Sequence, residues 1–527
     1  MRSIPVSYLV AAGPSISLHR LLTVPDAPDG NYSFAGVPDG LGVIALNENL
    51  FDLVCTHEIF YNEGAERAHA RSGAFVSRWR IDKRRWASER LLEVIKGWDQ
   101  IDRVYYWRHN RTPPSYGSNK NVPLERLCSA DLPPVSALYY HDDNAEYGAR
   151  ERIFLGGEET HTKYKLGFGR AWAHILTGAF EGETYELPHM GRISFENVVC
   201  CPHSQVKTIA IGLDDATDKI ETEFKLRSPP SELYVYVGEK SRSGDHEKGE
   251  DLLKTTGLFG GTLYGLQVQV ECMPLRGENE TNGFSQDQPL KQARFALVSL
   301  GDRSIDDPLD NPGTALQKES IKKQVTQFLR IEDGAWDPRI GHQHQFYFVT
   351  THRFDGNSRL FRITFDDITK PESGGIIEIL LDGIENGVRR YQMLDSITVD
   401  PWGRVFLQED TGGKDYVTRT LMYLPDSGGL YEVARGNEHV FRDSSHPSFL
   451  TIDEESAGII PAFDILGEGW FLTAVQAHRP VEGWVDRVCA TNLAPDISAR
   501  MADDLVEPGQ ILAIQVPQGV EIELPEV

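Results

Sequence analysis

Short apolar runs, each closed by a Gly, Asp, Asn or Pro turn, recur along the whole of this sequence and constrain its fold more than any other feature. Leu233 to Val237, Gln345 to Thr350, Leu360 to Phe365, Arg404 to Gln408 and Gly509 to Val516 are examples. Runs this short suit strands, and the residues that bound them supply the backbone angles that chain reversals require. Asp355-Gly356-Asn357 leads into Leu360 to Phe365, and Asp400-Pro401-Trp402-Gly403 leads into Val405 to Leu407. A loose unit therefore repeats: strand, tight turn, strand, then an acidic or histidine residue at the strand end. A radial array of four-stranded blades produces this recurrence and sets blade ends around one channel.

The expected fold is all-β, a β-propeller of about six blades with short helical insertions. Residues 1–527 are expected to form a single domain, which the C-terminal strand Gln510 to Val516 helps to close. Six blades would average about 88 residues each, against roughly 40 to 45 in a compact propeller, so long insertions must cover one face. Glu239 to Asp251 and Arg276 to Lys291 are the expected insertion loops. Helices are predicted at Ser88 to Trp98 and Thr314 to Phe328. The second has Ala315, Ile321, Val325 and Phe328 roughly on one face and the start signal Pro312-Gly313 before it.

Charge and cysteine usage narrow the function classes. The formal net charge is −25, from 53 Lys and Arg against 78 Asp and Glu. Nucleic acid and anionic membranes both prefer a basic surface, so neither is an expected partner. An anionic small molecule stays compatible, because bound metal inverts the local field. The six cysteines form no CxxC and no zinc-type spacing. Adjacent Cys200 and Cys201 would face opposite sides of a strand; buried free thiols are expected, with one long-range disulfide as the alternative. Val6 to Ala12 is too short to span a membrane, and no paired-arginine export signal precedes it. That leaves a cytoplasmic chain or a mature form whose leader is absent.

Carboxylate pairs stand beside β-branched or aromatic runs at Glu158-Glu159, Glu332-Asp333, Glu409-Asp410 and Glu454-Glu455. Such pairs, if buried, must meet a cation or keep a proton. Calcium or a carboxylate-bridged transition-metal pair suits oxygen donors of this kind. Pro38-Asp39-Gly40, Thr56-His57-Glu58, Phe195-Glu196-Asn197, Asp214-Asp215, Arg330-Ile331-Glu332, Asp395 and Gln476-Ala477-His478 join them as candidates. Several follow an apolar strand, as His57 follows Leu53 to Cys55. Taken singly, Asp39, Asp214-Asp215 and Asp395 read better as turn residues, and a lone His57 or His478 as a hydrogen-bonded core histidine. Arg330-x-Glu332 on a strand points both side chains to one face. GxSxG, Walker and HExxH motifs are absent, and Gly257 to Gly261 reads as a tight turn. The residues indicate a metal-dependent hydrolase.

In order along the chain, these segments resemble the PhoX-type alkaline phosphatase family. The stretch from Gly36-Val37-Pro38-Asp39-Gly40-Leu41-Gly42 through Thr56-His57-Glu58 to Gly73-Ala74-Phe75-Val76-Ser77 is similar to the family's opening. Glu158-Glu159, Gly191-Arg192 to Glu196, Asp214-Asp215, Arg330-x-Glu332, Asp395 with Asp400-x-x-Gly403, Glu455-x-x-Gly458 and Gln476-x-His478 follow in the family's order. The resemblance implies a propeller with a calcium-containing metal cluster, with iron or manganese as candidate second metal, acting on a small phosphate ester. It implies Glu159, Glu196, Glu332 and Asp395 as metal ligands and Arg330 as the phosphate grip. Glu58 and Glu455 are further candidate ligands, and His57 joins Arg330 and Glu332 as a catalytic candidate. It also implies a periplasmic or extracellular setting. The chain departs from the family in three places. Gly157 stands where the family has an iron-ligating cysteine, Phe195 where it has His, and Ile331 where it often has Pro. The rival expectations are a calcium-dependent lactonase or esterase propeller using a histidine base, and a calcium-stabilised binding propeller without catalysis.

Overall fold

The structure, a computed structural model, describes residues 6–119, 121–160, 169–216, 231–270, 273–274, 292–305, 314–385, 388–489, 494–520 and 522. The chain forms two compact units. The first joins Met1–Ile101, Pro123–Ser129 and Ile384–Val527; the second joins Asp102–Val122 and Ala130–Gly383.

Three larger antiparallel sheets make up the first unit among the described residues. One is a meander of Pro38–Ala45, Leu50–His57, Phe75–Asp82 and Glu93–Asp99. A second runs Leu394–Val399, Val405–Glu409, Arg419–Leu424 and Gly429–Gly436, with Leu9–Ala11 added at the edge. In the third, Asp453–Pro461, Trp470–His478 and Gly509–Gln515 pair in turn, and the N-terminal strand Ser17–Thr23 pairs with Gly509–Gln515. The two chain ends thus share one sheet, which removes two exposed strand edges. Trp470–His478 is buried along almost its whole length, because sheet partners flank both edges and aromatic side chains cover its faces. Trp86 meets Trp470 edge-on at 4.5 Å, and Phe406 meets Phe471 at 4.3 Å.

The second unit repeats the plan. Ile153–Glu158, Gly169–Ile175 and Glu183–Glu186 form a meander that Arg103–Arg108 extends in parallel. Two further meanders follow: Phe195–Cys200, Lys207–Asp214, Leu233–Glu239, Thr262–Val270, and then Ile331–Trp336, Gln345–Thr350, Arg359–Phe365, Gly375–Asp382. Gln292–Gly301 links their outer strands edge to edge. The first strand of each meander packs on the next: Ile153–Glu158 on Phe195–Cys200, and Phe195–Cys200 on Ile331–Trp336. In the first unit, Asp453–Pro461 likewise packs on both Pro38–Ala45 and Leu394–Val399.

Those first strands are irregular at their starts. Register shifts fall between Pro38 and Leu41, Phe195 and Asn197, Ile331 and Gly334, and Leu394 and Ile397. Asp39, Glu196, Glu332 and Asp395 sit in these bulges, which re-aim a side chain away from the regular alternation. Val37, Arg330 and Met393, the residues just before three of the strands, have φ of 52°, 59° and 34°. Such angles are uncommon for non-glycine residues and persist where the surroundings impose them. Gly458 lies in another bulge, where a Cβ would meet the Asp39 carbonyl oxygen at 2.2 Å.

The helix predicted over Ser88 to Trp98 is corrected. Trp86–Glu89 makes one turn, Arg90 ends it at φ 54°, and Glu93–Asp99 is a strand paired with Phe75–Asp82. Tertiary packing overrides the local pattern: Gly97 lies against the Trp79 ring, where a Cβ would come within 2.5 Å. The second helix runs Thr314–Lys322; Gln324 then takes φ 58°, and Thr326 and Phe328 hydrogen-bond extended chain at Leu266 and Ser231. Part of the predicted Glu239 to Asp251 loop enters the helix Gly249–Thr255. Arg276 to Lys291 and Pro312-Gly313 lie outside the described residues. Cys55, Cys128, Cys200, Cys201 and Cys489 are buried free thiols; Cys272 lies outside the described residues. Cys200 and Cys201 belong to different core clusters, as opposite faces of one chain segment require. No described helix is long and apolar enough to cross a membrane.

Candidate metal centre

Each carboxylate pair is divided by the strand that carries it. Glu158 is closed by Arg170, whose Nη2 lies 2.6 Å from Oε1 and Nε 2.6 Å from Oε2. Glu409 accepts from Arg419, Tyr416 and the Gln392 N–H. Glu454 takes a two-nitrogen grip from Arg442 at 2.7 and 2.9 Å, and Asp333 accepts from Asn197 Nδ2 at 2.7 Å. These four acids are consumed by local structure. Their neighbours have other partners: Glu332 Oε1 accepts from Arg330, and Glu455 Oε2 lies 3.3 Å from His478 Nε2.

In the first unit, ligand atoms of Asp39, Glu58 and Cys128 lie within 4.8 Å of one another. Glu58 follows the strand Leu50–His57, and Arg126 Nη2 donates to its Oε1 at 2.6 Å. Gln476 Nε2 bridges Asp39 Oδ2 at 3.1 Å and Glu58 Oε2 at 3.3 Å. The Gln476 amide is fully buried, and its Oε1 has no hydrogen-bond partner among the described residues. Burial raises the Glu58 pKa, but Arg126, His478 and the Cys128 thiol together hold it below the ordinary value. Thr56 Oγ1 donates to the Cys128 carbonyl at 2.7 Å and fixes that segment. Asp395, half-buried in its bulge, and Glu455 belong to the same unit.

In the second unit, Glu159 and Glu196 offer oxygens within 4.8 Å of each other, as do Glu196 and Glu332. Arg330 Nε and Nη2 donate to Asp215 at 3.0 and 2.6 Å, and Nη2 also reaches Glu332 Oε1 at 2.9 Å. Burial lowers the Arg330 pKa, but Asp215, Glu332 and Glu159 hold it well above the ordinary value. Arg330 thus pairs with Asp215 and Glu332, and Glu159 and Glu196, each less than 10% exposed, lie in the same group of acids. The all-oxygen donor set of Glu159, Glu196 and Glu332 fits a hard cation.

One expectation is corrected here. His57 is not a base poised at the site. It is fully buried, its Nδ1 is 2.9 Å from the Gly36 carbonyl, its Nε2 is 2.8 Å from Ser77 Oγ, and Phe75 stacks on it at 4.1 Å. A carbonyl can only accept, so Nδ1 carries the proton and Nε2 accepts from Ser77. Burial lowers the His57 pKa to about 3. An unfolded His57 binds a proton below about 6.5 and the folded one does not. Its contribution is therefore present above about pH 6.5 and falls away as pH drops toward 3. His57→Gln should flatten the decline of melting temperature with acid across that window; an unchanged slope would contradict the buried neutral ring.

At the position where the resembling family has a cysteine, packing excludes any side chain. A Cβ on Gly157 would lie 2.2 Å from Phe195 Cβ, so the Phe195 ring and a larger residue at 157 exclude each other. In the first unit the Cys128 thiol lies beside Asp39 and Glu58. Sulfur favours iron or zinc over calcium. Cys128→Ser should therefore lower the transition-metal content and leave calcium unchanged, as elemental analysis would read. Sequence reasoning passed over Cys128 and Arg126 because no local motif marks them.

His478 is held between Glu507 Oε2 at 2.8 Å and Glu455 Oε2 at 3.3 Å. Burial lowers its pKa, but the two carboxylates raise it well above the ordinary value. Burial and the nearby Asp410 push Glu455 up to about 7.

No protein-family model matches the sequence, and no curated protein is similar to it in sequence. Among solved structures the chain is similar to Pseudomonas fluorescens PhoX in complex with vanadate, a transition state analogue. The identity is 11%, with a TM-score of 0.62, over 99% of this chain and 98% of that one. A gluconolactonase from Xanthomonas campestris, XC5397, gives 10% identity and a TM-score of 0.29 over 94% and 100% of the two chains. The Pseudomonas aeruginosa periplasmic gluconolactonase PpgL gives 11% and 0.30 over 76% and 85%. The first likeness, with the blade-type sheets, makes this an all-β chain of the β-propeller fold.

Proposed function

We propose that this chain is a metal-dependent phosphoesterase, acting on small phosphate mono- or diesters within one propeller domain, in a periplasmic or extracellular setting. Calcium is the proposed hard cation and iron or manganese the second metal. The observation that carries the reading is the Arg330 guanidinium, held fork-on by Asp215 and Glu332 beside Glu159 and Glu196. Asp215 fixes the plane of the guanidinium through Nε and Nη2. No partner of Nη1 is found among the described residues, so its donors suit an anionic phosphoryl oxygen. Glu159, Glu196 and Glu332 are the proposed cation ligands in this unit, and Glu58, Glu455 and Asp395 those in the other. A cation so bound supplies positive field to the phosphoryl oxygens.

The fold shared with a phosphatase solved with vanadate is compatible with this chemistry but does not by itself establish it. The geometry of His57 and His478 favours it over the lactonase alternative. Both ring nitrogens of His57 are taken by Gly36 and Ser77, and both of His478 face carboxylates, Glu507 and Glu455, so neither ring has a nitrogen free for a substrate. The test is turnover of an aryl phosphate by protein supplied with calcium and with manganese or iron. Glu196→Gln and Glu332→Gln keep shape but remove a ligand charge, so metal content and turnover should fall together. A wild-type protein inert toward phosphate mono-, di- and triesters overturns the assignment.

A further inference from the structure

A second acidic pair lies in the second unit, one residue from Asp215. Asp214 ends the strand Lys207–Asp214, and Glu232 precedes the adjacent strand Leu233–Glu239. Both are 0% exposed, and no Lys, Arg or His pairs with either among the described residues. Gln317, on the helix Thr314–Lys322 and also 0% exposed, places Nε2 3.2 Å from Asp214 Oδ2 and 3.2 Å from Glu232 Oε2. The Ser194 N–H donates to Asp214 Oδ1 at 3.0 Å. The Tyr234 hydroxyl lies 3.5 Å from Glu232 Oε2 and 3.0 Å from Ser320 Oγ.

Two fully buried carboxylates without a cation are costly, so they must keep a proton or bind an ion. Unsatisfied oxygens distinguish the two. Gln327, opposite Glu232, also hydrogen-bonds its carboxylate, whereas Gln317 Oε1 and Ser194 Oγ are buried without hydrogen-bond partners among the described residues. A proton shared between the two carboxylates leaves both of these unsatisfied. A divalent cation neutralises both carboxylates and takes several oxygens at once. The Gln317 amide, turned by half a rotation, presents Oε1 where Nε2 now stands, so oxygens of Asp214, Glu232 and Gln317 converge.

We propose that Asp214, Glu232 and Gln317 hold a hard divalent cation of the calcium class, separate from the Glu159, Glu196 and Glu332 set. The ion ties the helix Thr314–Lys322 to two strand ends and steadies the segment that presents Asp215 to Arg330. Burial raises Asp214 well above its ordinary pKa and Glu232 to about 7, so without the ion the pair retains a proton near neutrality. The inference does not depend on the phosphoesterase reading.

Elemental analysis of full-length protein purified in calcium tests it. Glu232→Gln removes a ligand charge and Gln317→Leu removes a neutral oxygen; each should lose about one divalent ion per chain relative to wild type and melt lower. A wild-type metal count in both variants, with Glu232→Gln melting at or above wild type, overturns the proposal. That result marks a shared proton, because the new amide donates the bond the proton made. If Glu232→Gln is not recovered folded, Gln317→Leu decides alone, since it alters no charge. Aryl-phosphate turnover by wild type reads the other hypothesis separately, and its failure leaves this count standing.

Discussion

Removing bound metal with a strong chelator should lower the melting temperature by about 5–15 °C, and restoring calcium should reverse the loss. Glu159, Glu196, Glu332 and Asp215 are nearly inaccessible to solvent, and Arg330 pairs with two of them, Asp215 and Glu332. In the first unit, Arg126 pairs with Glu58, and the Gln476 amide bridges Glu58 and Asp39. An ion present at 100 to 1,000 times its dissociation constant adds about 2.7–4 kcal/mol to folding. For a cooperative unit of a few hundred residues, each kcal/mol is worth roughly 2–4 °C. Scanning calorimetry before and after chelation, with metal content measured on the same samples, reads the effect. A metal-free protein that melts at the original temperature would mean the acids are balanced by retained protons, and the metal reading would fail.

Arg330→Lys should cut phosphate-ester turnover by ~10- to 1,000-fold while metal content stays at the wild-type value. Lysine keeps the charge but loses the planar fork that binds Asp215 through two nitrogens. An ammonium can still sit near Glu332, so the carboxylates keep a cationic neighbour. What disappears is the fixed direction of the remaining donors. Arg330 also sits at φ 59°, so the backbone holds this side chain in a particular direction at the start of its strand. Glu332→Gln is the contrasting variant, because it should lose metal and turnover together. Full turnover in Arg330→Lys, or unchanged metal in Glu332→Gln, would sink the residue assignment even if the activity itself is real.

Much of the site was legible because its parts are local. Apolar strand-length runs beside an acid marked Glu58, Glu159 and Glu196, the Arg330-x-Glu332 spacing marked Glu332, and the ordered resemblance turned Asp395 from a turn residue into a candidate ligand. The sequence does not reveal which acid of a pair is spent. Glu158, Glu409 and Glu454 are taken by Arg170, Arg419 and Arg442, each ten or twelve residues away along the chain. Nothing near the pairs themselves announces those partners. The bulges were likewise invisible, since a bulge is defined by the strand opposite.

Sequence alone determined that this chain is built of short strands closed by turns, that it is rich in acid, and that its acids cluster at strand ends. Those properties are set by side-chain periodicity and turn chemistry, which act over a few residues. Tertiary structure alone decided that Glu93–Asp99 is a strand, because Gly97 fits only under the Trp79 ring. It also decided that His57 is a core residue, and that Cys128 joins Asp39 and Glu58 while the Phe195 ring occupies the space beside Gly157. Each of these outcomes depends on a contact between residues far apart in the chain, whose free energy no local pattern encodes.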